Sequence, residues 1–446
     1  MWRMTNPFRH VCGAVWGVAL LAIAGPVGCG GGGGATGGTC ATGSGLGTLS
    51  IRISGTPSGL GLVGLGSGEK LTANADLSLA AGPQDVQAFV VAEGGTIVRT
   101  AYTPTIDVAS PCVHAGQTTT VNVTYAAIAT SGKVWTGVSD APASASLPSA
   151  TLLGFAPAAV AATGTASAAV AANTSGSGGF TFDQLGNVWV TSSGDHPVAR
   201  YSAAVFNASG NKTPEISLSS PSFGTAIPGP GALALDPSGN LWVSVFGSNK
   251  VVELTVAQFG AANPTAAVER TGITGPTGIA FDTSGNMWVA TGDDTVVRID
   301  AAHLATSGAT ADCTITAQSP APVVLALSSP QGIAFDANGN LWVSYSGTLA
   351  ALSPADLAGT GGKTVTPAVQ IGTDVLGLPT GIAFDEEGGL WLAAAAGKFA
   401  RFSQAQLAAS GSPAPDIVIT SPDLGYAGWF AIYPAPAFSP LEHGLP

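Results

Sequence analysis

Asp195 and His196 stand side by side, and a carboxylate beside an imidazole can relay a proton or share a cation. The plainer reading of the pair is a solvated loop. Four further clusters occupy equivalent places along the chain: Asn249 with Lys250, Asp293 with Asp294, Tyr345, and Lys398. Together they offer carboxylate, amide, amine and phenol groups, a set suited to holding a polar ligand. No Ser-His-Asp arrangement accompanies them, and His114, His303 and His443 fall elsewhere in the chain. The glycine run 30–34 is a tether rather than the strand-to-helix turn that cradles phosphate. The five cysteines, Cys12, Cys29, Cys40, Cys112 and Cys313, lack the spacing of a thiolate metal site. No metal and no cofactor is expected.

Composition narrows the partners. Of 446 residues only 9% are charged, and the net charge is −12 with no basic run. Nothing can neutralise a phosphate backbone, so nucleic acid is excluded as a partner. Arg3 and Arg9 precede an uncharged apolar stretch, 11–24, too short to span a bilayer. Pro26-Val27-Gly28-Cys29 follows, and then the glycine tether. This arrangement resembles the bacterial lipoprotein signal, with Pro26 where that family prefers Leu. The resemblance implies removal of residues 1–28, a lipid on Cys29, and a body held at the cell envelope by a flexible segment, 29–45. In an oxidising compartment Cys40 and Cys112 are candidates to pair, leaving Cys313 free. The uncharged segment 154–173 contains Pro157 and belongs to the repeat below, so a second membrane span is not expected.

Two folded units must position these residues. In 46–127, alternating runs at 49–53, 86–91 and 120–125 mark half-buried strands separated by Gly and Pro turns. Gly47-Thr48-Leu49-Ser50-Ile51 and Ala115-Gly116-Gln117-Thr118-Thr119-Thr120-Val121 resemble the prealbumin-like sandwich modules of bacterial lipoproteins. Such modules serve as spacers or adhesive domains.

From residue 131 to the end the chain repeats at a period of roughly fifty residues. Phe182-Asp183-Gln184-Leu185-Gly186-Asn187-Val188-Trp189-Val190 recurs at 235–243, 281–289, 335–343 and 384–392. Each copy continues into a third strand, an Ala-rich helical turn and a fourth strand, the pattern of a propeller blade. A sixth unit opens at 133–136 with its third and fourth strands at 152–155 and 168–171, but it has no first strand. That strand is found at the far end, in 428–433, so a six-bladed β-propeller closed by both ends is expected. Trp135, Trp189, Trp242, Trp288, Trp342 and Trp391 then supply one residue per blade, at the packing between blades. The repeated Asp is expected to accept backbone amides within its turn, and the Gly to supply positive φ.

The segment 275–290, Gly-Pro-Thr-Gly-Ile-Ala-Phe-Asp-Thr-Ser-Gly-Asn-Met-Trp-Val-Ala, resembles an NHL repeat. The resemblance places the chain among protein-binding scaffolds, gluconolactonase-type lactonases and streptogramin lyases. The NHL group commonly carries Asp just after the second strand, where this chain has Thr191, Ser244, Ala290, Ser344 and Ala393. Lactonases of this fold hold a divalent cation over the axis with side chains from the inner strands. Here those strands begin Gly179-Phe180, Gly231-Ala232, Gly278-Ile279, Gly332-Ile333 and Gly381-Ile382, with no carboxylate. The expectation is a non-catalytic binding or scaffold protein whose loop face takes a protein or glycan ligand. A lyase or lactone hydrolase is the alternative.

Overall fold

The computed structural model describes residues 40, 42–57, 59–139, 141–143, 145–147, 149–174, 176, 178–192, 197–224, 230–261, 263–308, 311–317, 330–372, 380–394 and 397–438. Alternating hydrophobic runs become strands, and glycine-punctuated segments become turns, throughout.

The first unit is two sheets around one core. Strands Ala75–Ala80, Leu46–Ser54, Thr118–Ala127, Thr100–Ile106 and Val91–Glu93 lie in that order, with Leu46–Ser54 and Thr118–Ala127 parallel. Strands Lys70–Leu71, Val63–Leu65 and Val86–Ala88 form the smaller sheet. Leu49, Ile51, Val63, Val86, Val121 and Val123 fill the space between them. Tyr125 ties the two layers, its hydroxyl donating to Leu62 O at 2.8 Å and accepting from Leu62 N at 3.0 Å. Cys40 and Cys112 are joined by a disulfide with Cα atoms 5.7 Å apart, and Cys313 is free and buried. The run 86–91, read from sequence as one strand, is divided. The chain leaves the small sheet at Ala88 and joins the large one at Val91, so one apolar run serves both layers.

The rest is a six-bladed β-propeller. Blade 1 contains strands Phe180–Phe182, Val188–Thr191, Val198–Tyr201 and Ile216–Leu218. Blades 2, 3, 4 and 5 begin with Pro230–Leu235, Ile279–Phe281, Ile333–Phe335 and Ile382–Phe384. Blade 6 is composite. Its inner strand is Tyr426–Tyr433, hydrogen-bonded to Lys133–Ser139 from the other end of the repeat region. The six inner strands neighbour one another around a closed ring. The outer strand of blade 6 starts at Val170, two residues later than the sequence pattern suggests. The amide of Ala168 is instead taken by the Asp423 carboxylate at 3.0 Å, which holds 168 outside the ladder.

Each of blades 1 to 5 is locked by one polar turn. The carboxylate of Asp183 accepts the amides of Leu185 and Asn187, and Asp236, Asp282, Asp336 and Asp385 repeat the pattern. The turn glycines hold φ between 73° and 80° (Gly186, Gly239, Gly285, Gly339, Gly388), a region that favours a residue without Cβ. In four blades the tryptophan Nε1–H donates to the same carboxylate, at 2.8–3.2 Å. All six repeated tryptophans are at most 2% exposed, so their place is between blades.

The outer edges are covered as well. After its helical turn each of blades 1 and 3 to 6 passes along the preceding blade's last strand. Gly164–Thr165 pairs with Ile417–Thr420, Gly210–Asn211 with Val170–Asn173, and Gly361–Val365 with Cys313–Ala317. Gly308 bridges Arg270 and Gly411 bridges Ile371 in the same way. The hydroxyl oxygens of Thr163, Ser209, Ser307 and Ser410 each accept an amide of the preceding blade's last strand at 3.0–3.1 Å. Unpaired edges that invite aggregation are thereby capped.

Candidate functional site

The two ends of the propeller axis differ. The end carrying the Asp turns is covered by the N-terminal unit and the C-terminal tail. Ile97 and Val98 join the apolar cluster between blades 5 and 6, and the Glu386 amide donates to Ile97 O at 3.2 Å. The Arg99 guanidinium pairs with Glu386 at 2.6 Å and donates to Ala435 O. Glu386 in turn accepts the Ala437 amide at 3.3 Å, and Thr130 donates to Gly186 O at 2.7 Å. One ion pair, 11% and 13% exposed, therefore anchors both the first unit and the tail to the turn of blade 5.

The axial channel is apolar. A cavity of about 120 Å³ is lined by Phe180, Ile279, Ile333, Phe384 and Trp429 among others, and closed toward the turn face by Ala435 and Pro436. Among the described residues its lining contains no acid, base or metal-ligating side chain.

The opposite face carries the loops between second and third strands. Near it a belt of hydroxyls crosses from blade to blade. Thr191 Oγ1 donates to Gly231 O at 2.7 Å, Ser244 to Thr277 O at 3.2 Å, and Ser344 to Thr380 O at 2.6 Å. Blades 3 and 5 have Ala290 and Ala393 at this place. There the donor comes from the start of the inner strand: Thr277 to Pro330 O at 2.7 Å, and Thr380 to Gly428 O. Three of the five positions where the NHL pattern has Asp are thus occupied by hydroxyls that link neighbouring blades, and at the other two the link comes from a Thr on the inner strand. The sequence showed those residue types but not their partners, because the acceptors are backbone carbonyls some forty residues away.

A second rule governs the innermost position, two residues before the one paired with each blade's tryptophan. It is Gly179, Ala232, Gly278, Gly332 and Gly381 in blades 1 to 5. A Cβ on Gly278 would lie 2.4 Å from Gln331 O, and one on Gly332 2.4 Å from Thr380 O. The next blade's backbone leaves no room. In blade 6 the equivalent residue is Trp429, since Ala431 is the partner of Trp135. Its indole packs against the cluster between blades 6 and 1 and also against that between blades 2 and 3. It therefore reaches across the axis, half-buried.

The residues singled out from sequence divide as follows. Asp195, His196 and Cys29 lie outside the described residues. Asn249 is left-handed, with φ 52°, and its side chain accepts the Gly275 amide at 2.8 Å. Lys250 pairs with Glu269 at 3.0 Å. Burial works to raise the Glu269 carboxyl, and bonds from Ser222 and Lys250 more than reverse it, holding it below its usual value. Asp293 accepts the hydroxyls of Thr291 and Thr295 at 2.5 and 3.1 Å, shaping its own hairpin. Asp294 closes that hairpin with φ 64°. Tyr345 is 1% exposed, its hydroxyl pushed up to about 12 by burial, so it is a core residue at a strand end. Lys398 opens the third strand of blade 5. The structure brings Asn249, Lys250 and Asp293 near one cleft between blades 2 and 3. That cleft, about 330 Å³, is lined by Arg270, Thr271, Thr274, Thr291, Asp293 and Thr295 among others.

Among the described residues one group of metal-ligating types lies together: Asp300, His303 and Asp312, at the outer edge of blade 3. Arg298 holds Asp300 at 2.5 Å and His303 holds Asp312 at 2.7 Å, so both carboxylates already have cationic or proton-donating partners.

No protein-family model matches the chain, and no curated protein is similar to it in sequence. Solved structures of similar shape include a streptogramin B lyase, with 18% identity over 52% of this chain and 67% of that one, TM-score 0.36. Another is a virginiamycin B lyase from Staphylococcus aureus, with 16% identity over 51% and 66%, TM-score 0.33. A third is the extracellular domain of a one-component system from B. thetaiotaomicron, with 12% identity over 62% and 33%, TM-score 0.37. The chain spans about two thirds of the two lyases and one third of the sensor domain. Its architecture rests on its own strand pairing.

Proposed function

We propose that this chain is an exported, lipid-anchored propeller of NHL type that binds a partner through its loop face without transforming it. The observation that carries the reading is the chemistry of the axis. Metal-assisted or acid–base catalysis needs oxygen or nitrogen ligands, or a titrating pair, converging on the substrate. Among the described residues the axial lining offers alkyl and aromatic groups, backbone and the hydroxyl of Thr181. The turn face is occupied by the first unit and the tail, which leaves the loop face for a partner. Lipidation of Cys29, with the glycine tether after it, would hold that face away from a bacterial membrane. Among the described residues no helix is long and apolar enough to cross one.

The discriminating experiment is metal analysis of the purified full chain together with melting in Ca²⁺ and Mg²⁺. The binding reading expects no stoichiometric metal and no large shift. Bound metal at one per chain, with a shift of several degrees, would transfer support to the lyase or lactone hydrolase. Acyl labelling that persists in Cys29→Ala would remove the anchor.

A further inference from the structure

We infer that strand Ala75–Ala80 of the first unit is a dimerisation edge, to which a second copy of this chain adds the same strand antiparallel about a two-fold axis. The inference goes beyond the loop-face reading and does not depend on it.

The two units treat their edges differently. The outer strands of blades 2 to 6 are covered by the chain of the next blade. In the first unit one edge of the large sheet, Val91–Glu93, lies toward the propeller, where Val90 and Ala92 pack against the cluster between blades 6 and 1. Ala75–Ala80 is the opposite edge, and among the described residues no strand pairs with its outer side. Gln84 Nε2 reaches only its last carbonyl, Ala80 O, at 3.4 Å. The strand has no Pro, no Lys and no bulge, the devices that blunt such edges. The direction of its backbone groups follows from its neighbour. Thr48 N donates to Gln117 O at 2.8 Å, so Thr48 faces Thr118–Ala127, and Leu49 and Ile51 face Leu77 and Ala75 instead. The N–H and C=O groups of Asp76 and Ser78 therefore point away from the sheet.

The pairs this strand already makes identify its partner. On the core side Leu77 lies opposite Leu49. On the solvent side Asp76 lies opposite Ser50, whose hydroxyl donates to the carboxylate at 2.7 Å. A second copy centred on Leu77 sets Leu77 against Leu77, and Asp76 of each copy against Ser78 of the other. Both kinds of pair, Leu with Leu and Asp with Ser, are thereby repeated across the new seam. Ala75 meets Leu79, so core-side residues meet core-side residues and the alternation of the sheet continues. Asp76 and Ser78, whose backbone groups point outward, exchange N–H···O=C bonds between the copies. Leu77 and Leu79, half-buried at the margin of the first unit's core, gain apolar cover. Asp76 is the strand's one charge, and in this register it never faces its own copy, where two carboxylates would repel.

Cross-linking of the full chain reads the register directly. Opposed residues that exchange no backbone bonds lie about 4.5 Å apart at Cα, within disulfide range, so Leu77→Cys should give a cross-linked dimer under mild copper oxidation. Ala80→Cys places its two thiols about 20 Å apart along the paired strands and should cross-link no more than the unmodified chain. The unmodified chain, oxidised alongside, reports any link through the native cysteines. Sedimentation equilibrium should show a concentration-dependent dimer. Ser78→Pro removes an outward N–H and spares the bonds to Leu46–Ser54, so it should raise the dimer dissociation constant at least tenfold at unchanged melting temperature. Should Leu77→Cys fail to fold, the Ser78→Pro comparison still decides. A monomer at every concentration up to about 100 µM overturns the inference. Equal cross-linking of Leu77→Cys and Ala80→Cys overturns it too, as does a dimer that Ser78→Pro leaves intact. Each of these results leaves the loop-face reading standing.

Discussion

Replacing Asp385 with Asn tests how the repeat turns hold the propeller together. Asp385 is fully buried and accepts from the amides of Glu387 and Gly389, Trp391 Nε1, and Arg401 Nε, the last at 2.6 Å. Blade 5 has Gly389 where the other turns carry Asn, and the reason is steric. A Cβ there would lie 2.4 Å from the Arg401 guanidinium, which takes over the work of the Asn amide. Burial pulls the Arg401 pKa down, and Asp385 and Asp416 more than reverse that, so the guanidinium stays charged inside the fold. An Asn at 385 would turn an amide toward that cation or forfeit an amide acceptor. Breaking a buried pair by removing one partner costs about 3–5 kcal/mol. The control is Asp282→Asn in blade 3, whose carboxylate meets the same kinds of amide and indole donors but no guanidinium. There the loss of charge-assisted bonds should cost about 1.5–3 kcal/mol at most. Denaturant midpoints at pH 7, with unchanged slopes, provide the comparison. Equal destabilisation by the two substitutions would show that the Arg401 pair adds nothing, and the account of Gly389 would fall with it.

Three other outcomes follow from the same geometry. Thr277→Val and Thr380→Val each leave a carbonyl of the next blade without its hydroxyl donor, so each should cost about 1 kcal/mol in denaturation, with Ser restoring most of it. Burial works to raise the Asp423 carboxyl, and the amides of Ser146 and Ala168 more than reverse that, so its folded pKa lies below the unfolded one. Its stabilisation is therefore complete above the unfolded carboxylate pKa and disappears as pH falls through the folded value; Asp423→Asn should flatten that acid limb in melts between about pH 5 and pH 2. Truncation after Asp423 removes the strand Tyr426–Tyr433 and opens the ring between blades 5 and 1, so the entire propeller should lose its cooperative melt. A truncated chain that melts like the intact one would refute closure by the tail.

Much of the fold could be read from residues because each blade repeats the same local chemistry. The Asp-x-x-Gly-Asn-x-Trp run names the turn, the second strand and the inter-blade side chain at once, and the composite blade follows from the missing strand. What stayed hidden depends on contacts distant in the chain. The hydroxyl belt links Thr191 to a carbonyl at 231, and the edge latches set Ser209 against Ala171 and Ser307 against Glu269. A Ser/Thr-Gly pair after the helical turn of five blades is the signal for the latches in the sequence. Tyr345 stands where the repeat predicts a loop, yet its hairpin turns within two residues and leaves it in the core. In the sequence Trp429 is one residue of the closing strand 428–433, and the rule it breaks becomes visible once the inner strands are aligned by their hydrogen bonds.

That rule also explains how a repeat protein can place a unique side chain on its symmetry axis. Six equivalent inner positions would bring six side chains into one narrow channel, and backbone crowding forbids nearly all of them: Gly278, Gly332 and Gly381 each meet the next blade at 2.4 Å. Blade 2 admits the single Cβ of Ala232, and the blade built from two separate chain segments is the one that carries a large side chain. Its inner strand belongs to the tail, its register with Lys133–Ser139 shifts between Thr136 and Val138, and Gly137 lies beside Trp429. The irregularity of closure thus gives blade 6 the space for an indole that the regular blades lack. A second bulky residue at any regular position, Gly332→Trp for instance, should prevent folding rather than add a binding surface. Such a variant with a normal melt would mean that crowding does not restrict the axis.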